Sequence, residues 1–262
     1  MKRISFICIS LVLAIVMSGC MSSEGQLKSS EGQLKIYYIR HAEGGHNVWG
    51  AWEKKGIPRS EWPSYVGNPN VFTPRGEKEL VAATKKLQEY NFDFIATSNI
   101  WRARNTILPY LKATNQTAEV WPELREGAGM LTILSEDIPD LDMPILNLGK
   151  PIELPEEEKD YFVLRKDAPN AYKQYSRDDE ENLKVAYMKH VCLHAIQMIE
   201  KRFGGTDKSI LLVGHNSSGV SLLKLLLKEE PENKLLLKEE PENKRGIDST
   251  GIWMVEQQKD GT

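Results

Sequence analysis

Short apolar runs alternate with longer amphipathic stretches along most of the chain. The short runs predict strands at Lys35–Ile39, Phe92–Thr97, Ala118–Trp121, Ser209–Val213 and Gly251–Glu256. The amphipathic stretches predict helices at Pro74–Tyr90, Arg102–Ala113, Glu181–Phe203 and Ser217–Lys228. Strands that alternate with helices favour an α/β fold, a three-layer α/β/α sandwich with a mostly parallel central sheet.

The N-terminus carries an export signal. Lys2 and Arg3 precede an apolar run, Ile4 to Met17, that is too short for a comfortable membrane span. The ending Met17-Ser18-Gly19-Cys20 resembles the bacterial lipobox, which implies removal of residues 1–19 and lipidation of Cys20. We therefore expect an exported bacterial lipoprotein, held at the cell membrane or outer membrane by a flexible tether over residues 20–34. A simple secretory peptide or an uncleaved signal anchor is the alternative.

The net charge argues against one kind of partner, and the cysteine content argues against disulfides as a source of stability. Removal of Lys2 and Arg3 with the signal changes the formal net charge from −3 to −5, so nucleic acid is not an expected partner. Cys8 leaves with the signal and Cys20 is lipidated, so Cys192 alone remains and no intramolecular disulfide is expected. A chain of about 240 residues must then gain its stability from a buried core.

Two tandem duplications and one insertion interrupt the alternating pattern. Residues 22–28 repeat as 29–35 and lengthen the tether, and residues 225–234 repeat as 235–244, where Pro231 and Pro241 favour an exposed excursion. The third region, an insertion at about 127–180, is acidic and proline-rich and contains several aromatic residues. It is interpreted either as a lid or cap that sets substrate choice or as a structural cover on the scaffold.

Basic side chains follow three of the predicted strands. Arg40 and His41 follow the first strand, Arg102 lies beyond the second, and His215 lies beyond the fourth. Ligands bind beyond the carboxyl ends of strands in such sheets, so these side chains predict an anion pocket. Guanidinium groups match phosphate oxygens, and a histidine can serve as a nucleophile in phosphoryl transfer without a metal ion or cofactor.

The residues around these positions resemble the histidine phosphatase, or phosphoglycerate mutase-like, superfamily. The segment Arg40-His41-Ala42-Glu43 is similar to its Arg-His-Gly-Glu signature, with Ala42 in place of glycine. Further similarities lie at Thr73 to Gly76, Ser98 to Thr106, Leu124 to Glu126 and Leu212 to Asn216. The resemblance covers about 35–126 and 181–256 and implies one histidine phosphatase domain over 35–262.

This resemblance also implies roles for individual residues. His41 would be the nucleophile and Glu126 the proton donor. The phosphate would be bound by Arg40, Asn47, Arg102, His215 and Asn216. Glu123 and the insertion carboxylates Asp137, Asp140 and Asp142 remain alternative donors. The phytase branch places an aspartate donor directly after its second histidine, and Asn216 at that position argues against a typical phytase.

Several polar residues have a structural interpretation instead. Arg104 is expected on a solvated helix face, and Asn47 and Arg125 could make only local contacts. His190 and His194 have helical metal-ligand spacing, but no third ligand or general-base motif accompanies them, so no metal site is predicted. His46 could line the pocket or merely cap it.

Three functions satisfy this pattern. The first is a phosphatase acting on a phosphorylated small molecule, the second a mutase-like phosphotransferase, and the third a catalytically silent lipoprotein that binds a phosphate ligand. The export signal favours the phosphatase. The sequence predicts neither the particular ester nor the oligomeric state.

Overall fold

The structure is a computed structural model that describes residues 33–126, 152–165, 180–227 and 247–257, with side chains of the third range from Cys192 onward. The export signal, Cys20 and most of the tether lie outside these residues, as do Asp137, Asp140 and Asp142 and most of the second duplication. No helix in the described ranges is long and apolar enough to cross a membrane.

The strands of the described residues form one six-stranded sheet. They are β1 (Lys35–Arg40), β2 (Phe94–Thr97), β3 (Ala118–Val120), β4 (Phe162–Leu164), β5 (Ser209–Gly214) and β6 (Ile252–Glu256). Their order across the sheet is β4-β3-β2-β5-β1-β6, with β6 antiparallel to β1 and the other neighbours parallel. The predicted mostly parallel sheet is confirmed.

Helices connect the strands. They are α1 (Trp49–Glu53), α2 (Pro74–Leu87), α3 (Trp101–Thr114), α4 (Glu180–Phe203) and α5 (Asn216–Leu226). The predicted start of α2 is present: Thr73 caps it by accepting a hydrogen bond from Gly76 N at 3.0 Å, and Pro74 occupies the first turn. Asn115 caps the C-terminal end of α3 in a left-handed conformation with φ of 53°.

Both faces of the sheet are buried, which accounts for the nearly continuous apolar runs in the central strands. In β5, Ile210 and Leu212 point to the face covered by α4 and α5, whereas Leu211 and Val213 point to the face covered by α2 and α3. This alternation produces the three layers predicted from the sequence.

One strand and one buried side chain were not predicted from the sequence. Residues 152–165, part of the expected insertion, include β4, which extends the sheet beside β3, and Phe162 is buried in the core. A strand of three residues is too short to leave a clear periodic pattern. Arg104 was expected on a solvated helix face, and this expectation is wrong. Its side chain is buried, and its charge is paired there because Nε donates to Glu158 Oε2 at 2.5 Å.

Candidate active site

The pocket lies where three neighbouring parallel strands end. Arg40 of β1 pairs in register with Gly214 of β5, so the residues that follow, His41 and His215, stand side by side. Their ring centroids are 5.0 Å apart and both side chains are buried. Arg102, in the first turn of α3, is also buried and reaches His41. The structure therefore brings together side chains predicted from three separate segments.

The hydrogen bonds of His41 define its tautomer. Its Nδ1 lies 2.7 Å from Ala42 O, and because a carbonyl oxygen can only accept, Nδ1 carries the hydrogen. Nε2 then has a free lone pair, which accepts from Arg102 Nε at 3.1 Å. Burial, followed by the positive charges of Arg102 and Arg40, holds the pKa of His41 well below its usual value, although the Ala42 bond acts in the opposite direction. Neutral His41 is the form that a nucleophile requires.

Helix α3 also fixes the backbone beside His41. Thr106 Oγ1 donates to Arg102 O at 2.6 Å and accepts from Ala42 N at 2.9 Å. One hydroxyl group thus joins the loop after β1 to the helix that carries Arg102. Thr106 belongs to the segment Ser98 to Thr106, whose sequence pattern does not indicate this role.

His215 is held by Ser98, which directly follows β2. The two side chains are joined by a contact of 3.0 Å between His215 Nε2 and Ser98 Oγ. Ser98 Oγ accepts from Ile100 N and keeps its own hydrogen, which it can donate to His215 Nε2; in that arrangement the imidazole hydrogen is on Nδ1, 3.5 Å from Glu126 Oε2. Burial, then nearby Arg102, lowers the pKa of His215 well below the usual value, so the ring is neutral.

A buried hydroxyl network fixes the backbone around His215. Tyr38 Oη donates to His215 O at 2.8 Å and accepts from Ser218 Oγ at 2.8 Å, and Ser218 Oγ also lies 3.1 Å from Leu124 O. A Cβ at Gly214 would lie 2.2 Å from Tyr38 Oη, so glycine permits this close approach. The network links β1 and α5 to the segment that leads to Glu126.

The structure separates the two candidate donors near residue 125. Glu126 pairs with Arg102 Nη2, and its Oε2 lies 3.5 Å from His215 Nδ1. Glu123 is fully buried and contacts Arg165 at 2.8 and 3.2 Å, with His194 Nδ1 3.2 Å away. Glu126 therefore lies with the pocket residues, whereas the carboxylate of Glu123 is paired with Arg165.

Arg40 and Asn216 both bind the backbone of Ile247. Arg40 Nη1 donates to Ile247 O at 2.7 Å, and Asn216 Oδ1 accepts from Ile247 N at 2.7 Å. The amide oxygen of Asn216 is thus engaged in holding residue 247. Arg40 retains other donors, which Ile247 orients.

The polar residues that follow His41 lie at different distances from its imidazole ring. Glu43 accepts from Thr73 Oγ1 at 2.6 Å and so supports the start of α2. Asn47 is exposed, and its Oδ1 accepts from Gly44 N at 2.9 Å. His46 is nearer, with a ring centroid 5.5 Å from that of His41 and a pKa lowered chiefly by burial, then by Arg102. His41, His46 and His215 are hereafter the pocket histidines.

Four buried nitrogen atoms of the pocket lack hydrogen-bond partners among the described residues: Arg40 Nε, Arg102 Nη1, His46 Nδ1 and His215 Nδ1. Buried polar atoms of folded proteins are rarely left unpaired. A bound anion with several acceptor oxygens satisfies guanidinium and imidazole N–H donors together.

Side chains that can bind metal ions also meet here, because ligand atoms of His41, Glu126 and His215 lie within 4.8 Å of one another. Arg102, however, donates to both His41 and Glu126. A cation at this point would face the repulsion of that buried guanidinium group, so the electrostatics favour an anion. The other histidine pair considered from the sequence includes His190, whose side chain lies outside the described residues.

Comparisons with known proteins agree with this fold. Residues 36–142 match the family model described as histidine phosphatase superfamily (branch 1). A search of curated proteins gave no match. Among solved structures, Bacillus stearothermophilus YhfR is 20% identical, with a TM-score of 0.52 over 87% of this chain and 93% of that one.

Two further solved structures have lower TM-scores. A putative alpha-ribazole-5′-P phosphatase from Escherichia coli is 16% identical, with a TM-score of 0.49 over 86% of this chain and 92% of that one. A mycobacterial glucosyl-3-phosphoglycerate phosphatase is 18% identical, with a TM-score of 0.45 over 84% and 91%. The fold comparison therefore depends on YhfR. The family match covers residues 36–142, less than half of the chain, and the likeness to YhfR concerns the fold.

Proposed function

We propose that the protein is a metal-independent phosphatase that hydrolyses phosphate monoesters of small molecules through a phosphohistidine on His41. One observation carries this proposal: the unprotonated Nε2 of neutral His41 lies among buried cationic and imidazole donors that lack partners among the described residues. A nucleophile beside anion-binding donors is the arrangement that phosphoryl transfer requires.

In the first step, His41 Nε2 attacks phosphorus and the bond between phosphorus and the ester oxygen breaks. Arg40, Arg102 and His215 bind the non-bridging oxygens and stabilise the charge that spreads over them. The leaving alkoxide takes a proton from Glu126, and the phosphoryl group remains on His41.

The ion pair between Arg102 and Glu126 is expected to break when the substrate phosphate binds. Without phosphate, Arg102 donates to the Glu126 carboxylate. When a phosphate dianion takes those donors, the Glu126 carboxyl group is released from Arg102 and lies beside the phosphate, where it can reach the leaving oxygen.

In the second step, water attacks phosphorus and the bond from phosphorus to His41 breaks. Glu126, now a carboxylate, accepts the proton of the attacking water, and inorganic phosphate leaves. His41 returns to its neutral form with Nδ1–H still donated to Ala42 O.

We also propose that the mature protein begins at a lipidated Cys20 and acts outside the cytoplasm. The Met17-Ser18-Gly19-Cys20 sequence supports this part. Mass spectrometry of the mature N-terminal peptide should show diacylglycerol on Cys20 and its loss in Cys20→Ser. An unmodified Cys20 in the membrane fraction would contradict lipidation without affecting the phosphatase proposal.

The phosphatase proposal is tested with protein lacking residues 1–20, a panel of phosphate monoesters and EDTA in every reaction. We expect phosphate release by the wild type and a loss on the order of 10³-fold or more in His41→Ala. His194→Ala is the matched control, because this half-exposed histidine contacts Glu123 and not the pocket. Equal release by His41→Ala and wild type would refute the nucleophile. Phosphoryl return to an acceptor without release would indicate a mutase, and binding without either reaction would indicate a silent binding protein.

A further inference from the structure

Glu158 is buried although its neighbours in the sequence are exposed. It ends the 3₁₀ turn Glu156–Glu158, and its side chain is 3% exposed, against 86% for Glu156. It lies beyond the family match, which ends at residue 142. A buried carboxylate is costly unless it is paired, so its partners indicate why it is there.

The partners of Glu158 are two consecutive residues of α3. Arg104 Nε donates to Oε2 at 2.5 Å, and Asn105 Nδ2 donates to Oε1 at 3.0 Å. The same Asn105 nitrogen also donates to Trp101 O at 3.1 Å. Glu158 thus fixes the first half of the helix that presents Arg102.

Arg104 extends this connection to the loop between β2 and α3. Its Nη1 donates to the carbonyl oxygen of Asn99. Ser98, directly before Asn99, contacts His215 Nε2 at 3.0 Å. A continuous series of contacts therefore runs from Glu158 through Arg104 and the Asn99 carbonyl to the hydroxyl that holds His215.

We infer that Glu158 and Arg104 are positioning residues for the active site, holding the 98–100 loop so that Ser98 fixes the orientation and tautomer of His215. Neither side chain is placed in contact with substrate. The inference rests on the proposed function, because His215 matters here as a phosphate-binding group. Its structural part concerns the His215 ring itself and can be tested without any reaction.

Three variants test it. Glu158→Ala removes the carboxylate, Glu158→Gln keeps the shape but removes the charge, and Arg104→Met/Glu158→Leu replaces the pair with apolar side chains that fill the space. Glu156→Gln is the matched control, since Glu156 pairs with Lys159 at the surface of the same turn. Thermal unfolding establishes which variants are folded, and Glu158→Gln or the double variant decides the question if Glu158→Ala does not fold.

Two measurements are made on each folded variant. The first is the ¹⁵N and ¹H spectrum of the His215 ring as a function of pH, which reports its tautomer and titration. We expect it to change in the Glu158 variants and in the double variant but not in Glu156→Gln. The second is the separation of kcat from KM: we expect kcat to fall by about 10- to 100-fold in Glu158→Ala, as for a catalytic group displaced by about 1 Å, with little change in KM.

The outcomes are distinguishable. An unchanged His215 spectrum and unchanged kcat in folded Glu158→Gln and in the double variant would overturn the inference. A changed spectrum in a protein whose wild type releases no phosphate would uphold the positioning role and refute the proposed phosphatase. A fall in kcat with an unchanged His215 spectrum would show that Glu158 acts through another group and would also overturn it.

Discussion

Replacement of Tyr38 by phenylalanine removes one oxygen atom from the centre of the network behind His215. The hydroxyl donates to His215 O and lies 2.8 Å from Ser218 Oγ, so two buried hydrogen bonds are lost. The aromatic ring stays and keeps its stacking on Trp253, with centroids 5.1 Å apart. The perturbation is therefore confined to hydrogen bonding.

The expected magnitude follows from the bonds that remain. His215 O still accepts from Gly219 N at 3.0 Å, and Ser218 Oγ can still donate to Leu124 O at 3.1 Å, so neither partner is stranded. The loss is then the net value of two buried hydrogen bonds, about 1–3 kcal/mol in the free energy of unfolding. We expect kcat/KM to fall by no more than about tenfold, because the contacts of the His215 ring with Ser98 and Glu126 are retained.

Urea unfolding near pH 7.5, with slope and midpoint fitted for each variant, measures the change. Tyr37→Phe is the matched control: it lies on the same strand, and its hydroxyl has no hydrogen bond with any described residue. We expect Tyr37→Phe to stay within about 0.5 kcal/mol of wild type. Tyr38→Phe as stable as that control would refute the network as a source of stability.

Three further predictions concern pH, packing and ligand binding. The pocket histidines have pKa values well below about 6.5, the usual value in an unfolded chain, so at lower pH the unfolded chain binds more protons than the folded one. These histidines therefore leave the free energy of unfolding unchanged above that pH and lower it as the pH drops below it. Urea titrations should show this fall to be shallower in His46→Asn, by up to about 1.4 kcal/mol per pH unit. Gly214→Ala brings a Cβ within 2.2 Å of Tyr38 Oη and should cost about 1–3 kcal/mol, whereas Gly50→Ala, with open space around its Cβ, should cost nothing in the same assay. Orthovanadate at a hundred times its Kd should add about 2.7 kcal/mol to wild-type stability and far less to Arg102→Ala.

Each of these has a counter-result. Equal pH slopes for wild type and His46→Asn would show that His46 titrates alike in the folded and unfolded chains. A Gly214→Ala variant as stable as Gly50→Ala would mean that the backbone tolerates a side chain there. Equal stabilisation of Arg102→Ala by vanadate would place the anion elsewhere.

The fold and the centre of the pocket were accessible from the sequence for a physical reason. Apolar runs mark strands buried on both faces, and the carboxyl ends of parallel neighbours must meet at one edge of the sheet. His41 and His215 directly follow adjacent strands, so their proximity follows from topology alone. No knowledge of side-chain conformation was needed for that step.

What the sequence left undecided depends on long-range side-chain contacts. The resemblance favours Glu126 as the proton donor and leaves Glu123, three residues away, as an alternative, and no local pattern reveals the pairing of Glu123 with Arg165. The burial of Arg104 depends on Glu158, 54 residues later, which no local pattern reveals. Asn216 is expected at the phosphate, but its amide oxygen accepts from Ile247 N, 31 residues later, which is again a contact that no local pattern reveals.

Direct detection of phosphohistidine tests the central claim. Wild type and His41→Ala are each mixed with a phosphate monoester that the wild type hydrolyses, and the reaction is quenched in alkali within milliseconds. The protein is then digested and analysed by mass spectrometry under conditions that preserve phosphoramidates. We predict an acid-labile phosphoryl group on the peptide containing His41 in the wild type, at levels that decline as substrate is exhausted. Phosphate release without any phosphorylated His41, or a phosphoryl group on another residue, would contradict the account.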